Sequence, residues 1–233
     1  MLNGAVRSSG ERHHDGLVEN PGRVYSINVS GALRDMAFGE EIITTGCFKK
    51  PVSGAVVARQ LGLEGDAQGD LKVHGGLDKA VYFYPREHYN VWMDVLKVDL
   101  LPPGSFGENI TSEGMYEMGL CIGDVIRIGG ALLQIRQPRS PCYKLQLRFG
   151  RPDIVALFVR QSLPGWYASV LEEGSLSSGD EITIVERAPQ RVSVADIWRY
   201  SLGSPMDDET QERIAQLALL PAFWKERIAN ARA

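Results

Sequence analysis

Gly123-Asp124-Val125-Ile126-Arg127-Ile128-Gly129-Gly130-Ala131-Leu132-Leu133-Gln134-Ile135 reads as a β-hairpin, two aliphatic, β-branched runs joined at a glycine pair. Glycine supplies the positive φ that a tight hairpin turn demands. No GxGxxG or Walker pattern accompanies the pair, so it is a turn and not a phosphate loop. Gly179-Asp180-Glu181-Ile182-Thr183-Ile184-Val185 echoes the first half of the hairpin, a hint of internal pseudo-symmetry. Working outward, residues 24–29, 54–58, 79–84 and 166–171 read as further strands. Pro85 suits the first turn of a helix carrying Tyr89, Trp92, Met93 and Leu96 at helical spacing, and residues 152–161 read as another short helix. The aromatics of the first helix read as core. Many short strands, glycine-rich turns and occasional helices predict a mainly β fold with α additions, a mostly antiparallel barrel over residues 23–186.

After Ala188-Pro189-Gln190 the character changes. Ser193 is placed to cap a helix through Tyr200, Asp207 or Asp208 a second through Leu219, and Pro221 to open a third. Ile214, Leu217 and Ala218 form one apolar face of the second helix. Residues 190–233 are thus expected to be a small three-helix C-terminal domain. It is too small to stand alone and must pack on the barrel or on a second subunit, which leaves a homodimer open. Residues 1–22 read as a polar, mobile lead-in without a secretory signal.

The 233 residues are 44% apolar and 23% charged, enough for a substantial core. A formal charge of −4 and a tail that is not basic exclude a nucleic-acid backbone binder and disfavour a helix-turn-helix reader. No apolar run is long enough for a membrane span. Three widely spaced cysteines, Cys47, Cys121 and Cys142, rule out a complete disulfide framework and point to a reducing compartment, the cytoplasm. With no CxxC pair, they also cannot make an all-cysteine iron–sulfur site.

The chemistry is placed just past the hairpin, in Gln137-Pro138-Arg139-Ser140-Pro141-Cys142-Tyr143-Lys144. Two prolines stiffen the loop around Cys142, and Arg139 and Lys144 favour a thiolate, the form that binds metals. The plainer alternative is a cysteine that ends a strand and is buried and inert. A second polar cluster runs from Gly62 to Gly76. Asp66 and Asp70 read best as turn residues accepting backbone amides, while His74, followed by Gly75-Gly76, allows close approach of another backbone or a ligand, although a lone histidine is more often structural than catalytic. Glu108 and Asn109, after Phe106-Gly107, offer a carboxylate and an amide suited to the edge of a heterocycle, or simply to a turn. Lys49-Lys50 could clamp a phosphate, although a solvated pair is the commoner outcome.

Lys49-Lys50-Pro51-Val52, the segment from Gly62 through His74 to Tyr82, Phe106-Gly107-Glu108-Asn109 and Pro138-Arg139-Ser140-Pro141-Cys142 together resemble the MOSC family, the molybdenum-cofactor sulfurase C-terminal domain. Their order is similar to the stand-alone bacterial subgroup that carries a three-helix C-terminal domain. The resemblance covers residue 24 onward and implies a MOSC β-barrel that binds the pterin molybdenum cofactor, with Cys142 as protein ligand to the metal. Lys50, Arg139 and Lys144 are the candidate cations for its phosphate, and Gly107, Glu108, Asn109 and Ser140 further cofactor contacts. Similar bacterial proteins reduce N-hydroxylated compounds, hydroxylaminopurine bases included, to amines. That implies His74 as a group that orients substrate or delivers a proton, and a separate flavin or iron–sulfur reductase as electron donor. A carrier of the cofactor, or of persulfide sulfur on Cys142, is the alternative, and a thiol that meets only electrophiles is a more distant one.

Overall fold

The computed structural model describes residues 21–67 and 75–231. Its elements, in chain order, are β1 (Gly22–Val29), β2 (Arg34–Phe38), β3 (Glu41–Thr45), β4 (Lys50–Pro51), β5 (Val56–Arg59), β6 (Gly62–Leu63), β7 (Val81–Pro85), α1 (His88–Leu96), β8 (Ile110–Glu113), β9 (Val125–Ile128) and β10 (Ala131–Pro138). There follow α2 (Lys144–Phe149), α3 (Ile154–Gln161), β11 (Trp166–Glu172), β12 (Gly174–Leu176), β13 (Glu181–Glu186), α4 (Val194–Tyr200), α5 (Asp208–Ala215) and α6 (Ala222–Asn230). Residues 1–20, with most of the expected lead-in, lie outside the described residues, as does His74.

Seven strands close on themselves in the order β13-β9-β10-β11-β7-β8-β1, with β1 returning to β13. Closure leaves these strands without an open edge, which is how a sheet of short antiparallel strands becomes stable. Within the ring only β7 and β8 run parallel, Phe83 opposite Ile110, and α1 lies in the connection between them. The β9–β10 hairpin turns at Gly129-Gly130 as expected, Ala131 opposite Ile128. Gly129 has φ +53° and lies so close to the Ser175 carbonyl that a side chain would not fit. In β1 the inward alternation breaks at a register shift between Val24 and Ser26, after which Ser26, Ile27 and Asn28 are all buried. Inside, Ile27, Phe83, Ile110, Ile126, Leu133, Ile135 and Trp166 are fully enclosed.

Helices α4 to α6 share that core: Ile197, Trp198, Leu217 and Trp224 belong to the same apolar cluster. Ser193 and Asp196 form a reciprocal cap at the start of α4, and the Asp207 side chain accepts the Thr210 amide at 2.8 Å to cap α5. Some expected details are corrected. Pro85 ends β7, and α1 begins three residues later at His88, because Pro85 is still aligned with Ser112 of β8. Helix α5 stops at Ala215, so Ala218 is exposed while Leu217 and Leu220, in the turn that follows, fill the interface. Several elements had no counterpart in the sequence reading. They include the β2–β3 hairpin, a two-stranded sheet of its own, the short strands β6 and β12, and α2.

Candidate functional site

Strand β10 delivers the cysteine loop. Its last residue, Pro138, pairs with Trp166 of β11, and the Arg139 amide donates to the Gly165 carbonyl at 3.4 Å. The chain leaves the sheet over Ser140 and Pro141, and the Leu145 amide donates to the Cys142 carbonyl at 3.1 Å as α2 begins. With φ fixed at both prolines, Cys142 has little backbone freedom. It is half-buried and lines a cleft of about 90 Å³ that opens to solvent.

The facing wall is a polar network. Asp66 forms an ion pair with Lys49 and accepts the Asn109 side-chain amide at 2.8 Å and the Ser30 backbone amide at 3.0 Å. Asn109 in turn accepts the Tyr82 amide at 3.1 Å, which ties this wall to β7. Burial pushes the Lys49 pKa down, against the upward pull of Asp66. Tyr82 and Tyr167, also on the cleft, are pushed up by burial and stay neutral phenols. Beside them, burial pushes the Cys47 thiol up, with the Thr45 hydroxyl and Arg148 pulling the other way.

Among the described residues, five cationic side chains line the cleft, Lys49, Lys79, Arg139, Lys144 and Arg148, against the single carboxylate of Asp66. This is a positive site in a protein of net charge −4. Arg139 is buried, its guanidinium 5.3 Å from the Tyr82 ring centre and 5.1 Å from that of Phe158. Arg139 Nη1 and Arg148 Nε are buried without a hydrogen-bond partner among the described residues. Unpaired donors on buried cations are costly, and an anionic group in the cleft would satisfy them. No three His, Cys, Asp or Glu side chains converge as a metal cage among the described residues. One soft sulfur ligand beside unpaired cationic donors fits a metal that arrives within an anionic organic cofactor.

Comparison with known proteins gives this arrangement its place. The MOSC domain family matches residues 70–183. YflK of Bacillus subtilis, an uncharacterized protein, is 38% identical over 202 residues, 87% of this chain and 90% of that one. Protein YiiM of Escherichia coli is 37% identical over 186 residues, 79% of this chain and 83% of that one. The chain belongs to the MOSC family. The crystal structure of YiiM from Geobacillus stearothermophilus superposes with a TM-score of 0.73 at 30% identity, covering 91% of this chain and all of that one, so the two share the MOSC barrel. YiiM from Escherichia coli superposes with a TM-score of 0.66 at 31% identity, over 91% of each chain.

Of the residues singled out in the sequence, this MOSC cleft gathers Cys142, Gly107, Asn109, Arg139 and Lys144. Lys50 is exposed and off the cleft, and its neighbour Lys49 takes the inward place, because consecutive residues of an extended chain face opposite ways. Glu108 is fully buried and faces a turn instead. It accepts the amides of Gly104 at 2.7 Å and Phe106 at 3.1 Å, the Thr111 hydroxyl at 2.8 Å and the Tyr89 hydroxyl. Ser140 is drawn away toward α6, where Arg227 Nη1 donates to its hydroxyl at 3.3 Å. Asp66 does accept a backbone amide, as the turn reading expects, but it also pairs with Lys49 across the cleft wall. The sequence reading did not single out Cys47, Lys79, Tyr82, Arg148 or Tyr167 as site residues, although Lys79 and Tyr82 lie in the segment that carries the MOSC resemblance. Arg148 also left a signal, four residues beyond Lys144 and therefore on the same face of α2.

Proposed function

We propose that this MOSC protein is a molybdenum-cofactor-dependent reductase of N-hydroxylated compounds, hydroxylaminopurine-type bases among them, forming the corresponding amines. The observation that carries the reading is that Cys142 shares one cationic cleft with Arg139, whose buried Nη1 has no hydrogen-bond partner among the described residues. A further relative bears on it by name. "Reductase" of Gibberella moniliformis is 31% identical over 217 residues, 91% of this chain, which spans 38% of that protein.

When bound, the cofactor supplies two-electron redox chemistry at a soft metal. Cys142 Sγ would be the protein's ligand to that metal, and Arg139, Lys144 and Arg148 would hold the anionic part of the cofactor. The Lys49–Asp66–Asn109 network keeps the opposite wall in place, and the neutral Tyr82 and Tyr167 add no competing charge. The overall change, a hydroxylamine with two electrons and two protons going to amine and water, requires a proton source. His74 is proposed to deliver or orient that proton, because its ordinary pKa lies near neutrality. Electrons are proposed to come from a separate flavin or iron–sulfur reductase. Three dispersed cysteines and the absence, among the described residues, of any helix long and apolar enough to cross a membrane accompany a proposed cytoplasmic location.

The test is expression in cells with and without molybdenum-cofactor synthesis. Metal content and reduction of an N-hydroxylated base by an artificial electron donor are then measured for the native protein, Cys142→Ser and His74→Ala. The expected result is molybdenum and turnover in native protein from competent cells only, loss of both in Cys142→Ser, and retained metal with reduced turnover in His74→Ala. Nicotinamide cofactor alone should drive no turnover. Metal binding without any reduction would make the protein a carrier. Undiminished activity from cofactor-deficient cells would overturn the assignment.

A further inference from the structure

Two thiols share the cleft. Cys47 and Cys142 both line it and both are half-buried, whereas the third cysteine, Cys121, lies buried elsewhere beside Asp124. The Cys47 Sγ sits 4.0 Å from the carbonyl of Lys144, two residues beyond Cys142, and Cys142 is one of the groups whose charge acts on Cys47. Neither belongs to a strand or helix: Cys47 lies between β3 and β4, Cys142 between β10 and α2. A bond between the two sulfurs would therefore join loop to loop and leave the ring of strands intact. Gly46 packs so tightly against the Ala67 carbonyl that a side chain would not fit, which holds the Cys47 loop at the cleft wall. Arg139 and Arg148 line the same cleft as both cysteines.

We propose that Cys47 and Cys142 are a redox pair that forms a reversible disulfide when hydrogen peroxide enters the cleft, withdrawing the Cys142 sulfur from metal ligation. The consequence for the metal rests on the cofactor-binding reading above, whereas the disulfide itself does not. In the first step the Cys142 thiolate attacks one peroxide oxygen. The O–O bond breaks, one water leaves, and Cys142 becomes a sulfenic acid. In the second the Cys47 sulfur attacks that sulfur, the S–S bond forms as the S–O bond breaks, and a second water leaves. Two thiols have lost two electrons and two protons, and the peroxide has been reduced to two waters. An added dithiol reverses the change by thiol–disulfide exchange.

The full-length, cofactor-free protein is treated with hydrogen peroxide and followed by intact mass and unreduced peptide mapping. The expected result is a mass lower by about 2 Da, a crosslink joining the Cys47 and Cys142 peptides, and full reversal by dithiothreitol. Cys121→Ser should behave as the native protein. Cys47→Ser should instead gain roughly 16 Da or more as Cys142 stops at the sulfenic stage or oxidises further. Oxygen adducts alone on the native protein, or a crosslink through Cys121, would overturn the pair. Isolated molybdenum cofactor is then offered to the oxidised and reduced forms. Loading of the reduced form only supports the switch, and equal loading of both overturns it. If the crosslink forms but neither form loads, the disulfide stands and the cofactor-binding reading fails.

Discussion

A thiol's reactivity follows from its surroundings, and Cys121 and Cys142 sit in contrasting ones. Burial and the neighbouring Asp124 push the Cys121 thiol up to about 11, so roughly one in a thousand is thiolate at pH 8. Iodoacetamide at pH 8 should therefore label half-buried Cys142 well before Cys121. Cys121 labelling should rise about tenfold per pH unit until pH approaches that value. Peptide mass spectrometry reads both, and equal rates at pH 8 would contradict this assignment. Arg139 makes a second residue-scale prediction. Its charge is buried against two aromatic rings with one donor unpaired, so Arg139→Gln should fold normally but bind the cofactor at least about tenfold more weakly, the value of a charge-assisted hydrogen bond. Equilibrium binding of the cofactor checks it. Cys142 and Arg139 were legible because flanking prolines announce a rigid loop. The inward choice of Lys49 over Lys50 was not, since it depends on where an extended segment starts, and Glu108 was left open between ligand and turn because its four donors are brought together only by the folded turn.

Among the elements, the C-terminal helices bear most directly on the cysteine loop. Trp224 of α6 is fully buried and its indole N–H donates to the Gln137 side chain at 3.0 Å, one residue before the end of β10. Gln137 passes the connection on, donating to the Asp78 carbonyl at 3.0 Å, and Arg227 one turn later reaches Ser140. Trp224→Ala should cost about 3–5 kcal/mol in urea unfolding, since it opens a cavity and unpairs Gln137. Arg227→Ala should cost about 1 kcal/mol and loosen the loop without unfolding the protein, visible as faster amide exchange at residues 139–145. These helices were legible from their punctuation: Ser193, Asp207 and Pro221 each sit at a helix start in the structure. The β2–β3 hairpin was not. Its strands are largely exposed, so no buried face imposes an alternation, and its Gly39-Glu40 turn is not the usual Asn-Gly or Asp-Gly signal.

For the whole molecule, charge is distributed against its sum. In a chain of net charge −4, five cationic side chains and one carboxylate among the described residues line one cleft. Anionic ligands should then associate faster at low salt, and raising ionic strength from about 0.05 to 0.5 M should slow association several-fold, since the screening length shrinks from roughly 14 to 4 Å. Stopped-flow binding measures this, and a salt-independent rate would show that the positive cleft does not steer its ligand. By itself the sequence determined the local features of this protein: strand and hairpin positions, helix caps and a stiffened cysteine. Each of these depends on neighbours a few residues apart. Only the tertiary structure decided that β1 would close on β13, Gly22 opposite Ile182, and that Cys47 and Asp66 would share a cleft with Cys142. Those contacts join residues far apart in the chain, and closing the ring to leave no edge unpaired is what brings them together.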